Sequence, residues 1–135
     1  MLMVTMSIGI VIFAHGSSVP SANEAVHAVA RTAAQAGNLE WVEVAFLEVP
    51  PLLEEAVARL AARGAARILV IPYFLTLGIH LQRDLPALVE RLAAEHQDLQ
   101  ITVTPPLDGH PALVGILLDR AREAAPQAAS PASTC

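Results

Sequence analysis

At 135 residues the chain has the length of one domain, enough to bury a core without disulfides, and its one cysteine, Cys135, stands last, where it can build no disulfide framework. Hydrophobic residues make up 54% of it, yet no apolar run reaches the ~18 residues that would span a bilayer, which excludes a membrane-spanning helix. The formal net charge is −5 and the 8 cations are all arginines, scattered rather than clustered, which argues against nucleic-acid binding.

Met1 to Met6 contains no Lys or Arg, so it lacks the charged start of a signal peptide, and a cytoplasmic location is the default expectation. The first strand is predicted over Ile8 to Ala14, ending at His15 and the turn Gly16-Ser17-Ser18. Ser21 and Glu24 have capping-box spacing, with Ser21 as N-cap. The helix behind them places Val26, Val29, Ala30 and Ala33 on one face and stops at Gly37. Trp41 to Phe46 alternates apolar and polar residues, the pattern of a strand near a sheet edge. A second helix is expected from Pro50-Pro51, with Glu54 and Glu55 at its positive end, Leu53, Ala56, Val57 and Leu60 as its apolar stripe, and Gly64 as its stop.

Ile68 to Pro72 is an uninterrupted apolar run, as a central strand requires. A third helix should start near His80 and bury Leu81, Leu85, Leu88, Val89 and Leu92. Gln100 to Thr104 alternates again, another edge signature. The fourth helix opens at Asp108-Gly109-His110-Pro111 and is expected to turn Leu113, Ile116 and Leu117 inward. From residue 125 the composition is Ala, Pro, Ser, Gln and Thr, so residues 125–135 are read as a disordered tail and 1–124 as one domain.

Two uninterrupted strands belong in the middle and two alternating strands at the edges. With right-handed crossovers this predicts a single α/β domain of three layers: a four-stranded parallel sheet of order 2-1-3-4 with helices on both faces. The strand order reverses between the first and third strands, and ligand crevices of such sheets form at that switch point, beyond the carboxyl ends. His15 and His80 follow these two strands and border the crevice. Neutral imidazoles are good ligands for cobalt, nickel, iron or zinc, so the pair is a candidate metal or acid–base site; alternatively each histidine only bonds to nearby backbone. Glu48, at the same edge, could orient a histidine, take protons or ligate metal, or be a solvated loop carboxylate. Ser17 and Ser18, with the amides after Gly16, could hold an anion at a helix start, or form a simple turn. His110 reads mainly as a helix-start residue, His27 as a solvated one beside Glu24 and Arg31, and His96 as a cation suited to a helix end.

Phe13-Ala14-His15-Gly16-Ser17, then Ala45-Phe46-Leu47-Glu48 before a proline, then Ile71-Pro72-Tyr73-Phe74-Leu75 with Gly78, His80 and Asp84, and finally Gly109-His110-Pro111-Ala112-Leu113, together resemble the small-type sirohydrochlorin chelatases of the class II tetrapyrrole chelatases. The similarity covers nearly all of residues 8–124. The resemblance implies a chelatase, flavodoxin-like half-fold and insertion of a divalent metal, Co²⁺ first and Fe²⁺ or Ni²⁺ as alternatives, into the octacarboxylate sirohydrochlorin on the way to cobalamin, siroheme or nickel cofactors. It implies that His15 and His80 handle the metal, that no organic cofactor is needed, and that two copies form a homodimer mouth to mouth. Neutral imidazoles or Glu48 would accept the two pyrrolic protons. Ser17, Ser18 and Arg83 would compensate the acidic, lysine-free surface toward the substrate carboxylates; Arg83 could instead pair with a helix acid.

Two other classes compete. A metal carrier or sensor could use the same histidines without turnover. A phosphohistidine-type phosphatase also carries a histidine after its first strand, but with an arginine immediately before it, where this chain has Ala14.

Overall fold

The computed structural model describes residues 7–133. Met1–Met6 and Cys135, on which expectations about a leader and a free thiol rest, lie outside the described residues. Eight elements alternate along the chain: β1 (Ile8–Ala14), α1 (Pro20–Ala36), β2 (Val42–Phe46), α2 (Leu53–Arg63), β3 (Arg67–Pro72), α3 (Ile79–Glu95), β4 (Gln100–Val103) and α4 (Ala112–Ser133). The strands form one sheet in the order β2-β1-β3-β4, with every pairing parallel. The predicted fold class and strand order are both present.

Alternation of side chains along β1 and β3 divides the core into two layers. Val11, Phe13, Ile68 and Val70 point to one face, where Leu53, Ala56, Val57 and Leu60 of α2 and Leu85 and Leu92 of α3 cover them completely. The other face is served by α1 alone: Ala30 and Val26 rest on Ala14, Val44 and Phe46, over the β1–β2 half of the sheet. Gly64 ends α2 as expected.

Several local expectations are corrected. Ser21 is not an N-cap: α1 starts at Pro20, whose ring suits a first helical position, and Val19 stands at the cap without a side-chain bond. The capping role belongs to Glu55, whose carboxylate accepts the Leu52 N–H at the start of α2 (2.8 Å); Pro50 and Pro51 precede that helix. Of the fourth helix's inward set, Leu113 is half-buried, whereas Ile116 and Leu117 are exposed, because α4 makes no more than marginal contact with the sheet. Where composition predicts a tail from residue 125, α4 continues to Ser133; the alanines beyond Glu123 have the highest intrinsic helix propensity.

Candidate functional site

Backbone pairing does not stop where the strands end, and this builds the site. The Leu47 N–H donates to the Ala14 carbonyl (2.9 Å) and the Glu48 N–H to the His15 carbonyl (3.0 Å), zipping the loop after β2 to the loop after β1. The Tyr73 N–H donates to the Phe13 carbonyl (2.7 Å) from the other side. The Leu107 and Asp108 N–H groups donate to the Phe74 and Leu75 carbonyls (2.9 and 2.8 Å), tying the loop after β4 to the loop after β3. The four loops thus form one continuous rim at the carboxyl edge.

His15 stands on this rim with its Nε2 3.5 Å from Glu48 Oε2, both side chains more than half exposed (58% and 61%). Its Nδ1 lies 3.2 Å from the Gly16 carbonyl, and its ring meets Phe74 edge to face, with centroids 6.4 Å apart. A neutral imidazole has one N–H to give. When Nδ1–H points to Gly16, the Nε2 lone pair and the Glu48 carboxylate face each other, two Lewis bases that a proton or a divalent cation can bridge. Phe74 also packs edge to face on the buried Phe13 (6.0 Å), so the wall beside His15 is anchored in the core.

The turn below His15 is set by a residue that the sequence reading passed over. Asn23 accepts the Ser17 N–H (2.9 Å) and donates to the Ser17 carbonyl (2.8 Å), closing a two-bond clamp from α1. The Ser17 hydroxyl accepts the Val19 N–H (3.0 Å). Two of the amides proposed for an anion are therefore already used, while Ser18 is exposed on the rim. The only signal for Asn23 is its chemistry, an amide able to donate and accept at once. Asn23→Ala is expected to cost about 1–2 kcal/mol for the two bonds, read as a lower urea midpoint, with Asn23→Asp in between because it keeps only the acceptor; an unchanged midpoint for Asn23→Ala would remove the clamp from the account.

His80 is the second residue of α3, above a loop braced by the Gln82 side-chain amide donating to the Leu77 carbonyl (2.9 Å). Arg83 Nη2 donates to His80 Nδ1 (3.4 Å), and Arg83 Nε lies 3.9 Å from Asp84. The fold therefore carries His15, Glu48, Ser18, His80 and Arg83 to the same edge, in two groups: His15 contacts Glu48, Gly16 and Phe74, while His80 contacts Arg83. Among the described residues no three His, Cys, Asp or Glu side chains converge as a metal cage.

The remaining histidines are accounted for. His110 Nδ1 accepts the Ala112 N–H (3.0 Å), the expected helix-start role. His96 caps the end of α3. His27 is half-buried, edge to face on Phe46 (5.6 Å), rather than solvated, because that ring lies beneath α1. Its neighbour Glu24 is committed to Arg31, whose hydrogen bond and charge hold the Glu24 carboxyl below the usual carboxylate range.

Known proteins resemble this chain in sequence and fold. The CbiX family matches residues 9–124. A sirohydrochlorin cobaltochelatase of Methanopyrus kandleri is 30% identical over 138 residues, covering 87% of this chain and 96% of the relative. The protein of the same name from Methanosarcina acetivorans is 30% identical over 128 residues, with 89% and 98% covered. Among solved structures, the CbiX protein from Marinobacter aquaeolei VT8 superposes with a TM-score of 0.80 at 31% identity, over 89% of this chain and 98% of that one. The sirohydrochlorin chelatase SirB from Bacillus subtilis subspecies spizizenii, in complex with cobalt, gives 0.76 at 25% identity, over 87% of this chain but 51% of its own. By sequence over residues 9–124, and by its fold, this chain belongs to the CbiX family.

Proposed function

We propose that the protein is a sirohydrochlorin chelatase that inserts a divalent metal, cobalt in the first instance, into the macrocycle, working as a cytoplasmic homodimer. The observation that carries this reading is the pairing of His15 with Glu48 on one side of the switch point and His80 with Arg83 on the other, in a chain whose relatives bear that activity in their names. Cobalt is favoured over iron and nickel by those names alone; imidazole donors follow a general affinity order and do not single it out.

The chemistry is that of an exchange. The metal ion, here a substrate, sheds water and meets four pyrrolic nitrogens, and two N–H protons leave. Exposed imidazoles that, among the described residues, are not part of a closed cage of three ligands can engage the ion and still release it. Glu48 beside His15 Nε2 is placed to take a proton as the ion departs. Arg83 can swing from His80 to a carboxylate of the macrocycle, offsetting the protein's negative charge, and Ser18 can contribute a hydroxyl. Ser17 supports the turn and presents its neighbour. Holding the flat macrocycle against the rim is positioning catalysis.

The test is anaerobic incubation of the protein with sirohydrochlorin and, separately, Co²⁺, Fe²⁺ or Ni²⁺, following the macrocycle's absorption. Insertion above the protein-free rate with at least one metal, fastest with Co²⁺, is expected. Metal binding without acceleration for any of the three would refute the chelatase reading and leave a carrier.

A further inference from the structure

The partners of the two rim histidines dictate opposite tautomers. A carbonyl only accepts, so the Gly16 oxygen 3.2 Å from His15 Nδ1 calls for a proton on that nitrogen and leaves the Nε2 lone pair facing the opening. A guanidinium only donates, so Arg83 Nη2, 3.4 Å from His80 Nδ1, calls for a lone pair on Nδ1 and hence a proton on Nε2. His15 therefore offers an ion a free electron pair and His80 does not: one of its nitrogens carries hydrogen and the other is taken.

Neither nitrogen of His80 can reach a metal while Arg83 stays. Coordination through Nδ1 needs the lone pair that the guanidinium holds. Coordination through Nε2 needs the proton moved to Nδ1, where it would meet the Arg83 N–H head on. The contact is built by α3, whose first two turns set residues three apart on one face. It is also easily undone. The Arg83 side chain is 72% exposed, and its nearest carboxylate oxygen, on Asp84, lies 3.9 Å from Nε. Among the described residues Arg83 is the cation that the rim presents. The other arginines pair with carboxylates along the helices or, like Arg63 and Arg67, stand at the amino edge of the sheet. An anion arriving at the rim therefore meets Arg83, and a carboxylate, which accepts two N–H bonds in parallel, suits a guanidinium better than one imidazole nitrogen does.

We propose that Arg83 guards His80: it keeps that imidazole from binding a metal ion until a carboxylate of the macrocycle draws the guanidinium away, so that the ion is gripped firmly only once its acceptor is in place. The inference deepens the proposed function and rests on it for the identity of the carboxylate; the guard itself rests on the hydrogen bonds of the two imidazoles. Without the macrocycle an ion meets His15 and Glu48 and exchanges freely with water. With the macrocycle bound, His80 joins. The coupling is reciprocal, so an ion already held at His80 leaves Arg83 free and favours the macrocycle by the same factor.

The first experiment is anaerobic calorimetric titration of the full chain with Co²⁺ alone, for the wild type, Arg83→Ala, His80→Ala and the double variant. Both side chains are exposed, so circular dichroism should show every variant folded. Arg83→Ala is expected to bind Co²⁺ about three- to tenfold more tightly than the wild type, the effect of removing one competing hydrogen bond. When His80 is already alanine, the same substitution should change the affinity less than about twofold, because solvent screens an exposed charge. The second experiment reads the ring nitrogens of the metal-free protein by long-range ¹H–¹⁵N correlation, at a pH where both rings are neutral. His15 should carry its proton on Nδ1 and His80 on Nε2. Arg83→Ala should abolish the His80 preference, and metal-free sirohydrochlorin should do the same to the wild type. An Arg83→Ala variant that binds Co²⁺ no more tightly, a gain that persists without His80, or a wild-type His80 with its proton on Nδ1 overturns the guard. A macrocycle whose absorption shows it bound while the His80 tautomer stays put overturns the release. A macrocycle that does not bind at all overturns the chelatase reading and the release with it, whereas the Co²⁺ titrations still decide the guard.

Discussion

His15→Ala is expected to lower the rate of metal insertion at least about a hundredfold, the usual worth of a positioned acid–base group, with the fold intact. The side chain is more than half exposed and its contacts are Glu48, the Gly16 carbonyl and the edge of Phe74, so its removal opens no core cavity. His80→Ala should behave in the same way, since that imidazole stands on the first turn of α3 and contacts Arg83. Circular dichroism and the urea midpoint check the fold; single-turnover absorption of the macrocycle checks the rate. If both variants insert metal at the wild-type rate, the histidines have no part in the reaction. If His15→Ala is slow only because it unfolds, the midpoint will reveal it. Glu48→Gln provides a graded control: it keeps the shape beside His15 Nε2 and loses the base, so it should slow insertion less than loss of the imidazole.

Gly16→Ala should be the most damaging small change at the rim. Gly16 has φ +87°, where an L side chain costs about 1–2 kcal/mol. An added Cβ would also stand 2.9 Å from Val49 Cγ2 and 3.0 Å from Phe46 Cβ, and overpacking of this kind costs roughly 1–3 kcal/mol more. The total, about 2–5 kcal/mol, is a large share of a small domain's stability. Gly109 is the matched control: φ is +80° and nothing lies within 4 Å of its absent Cβ. Gly109→Ala should therefore show the backbone cost alone. Urea denaturation of the two variants separates the effects, and equal losses at both sites would show that the crowding against Phe46 and Val49 relaxes without cost.

The arrangement of the sheet was readable because burial leaves a local trace. Ile68 to Pro72 is apolar without interruption since β3 has neighbours on both sides, while Gln100 to Val103 alternates since β4 has one. From that order alone His15 and His80 fall at the switch point. What the chain does not write locally was missed. Asn23 acts on Ser17 across a helix start, and no spacing rule marks such a clamp. Ser21 and Glu24 have the spacing of a capping box, but Pro20 takes the first helical position and pre-empts it. His27 was placed by its helical neighbours, whereas its environment is decided by Phe46 on another strand. α4 is the most instructive case. An amphipathic stripe marks which face of a helix is apolar, not whether its own sheet will cover that face, so Ile116 and Leu117 read as core while standing in the open.

The hydrogen bonds from Leu107 and Asp108 to Phe74 and Leu75 have a mechanical corollary. The ribbon that leads to His80 and the root from which α4 departs are stitched into one strip, so neither can shift alone. A disc-shaped guest pressing on Tyr73 to Gly78 would therefore load the root of α4 as well. Linkage then demands reciprocity: whatever a guest adds to the stability of that strip, a firmer strip must return to the guest's affinity.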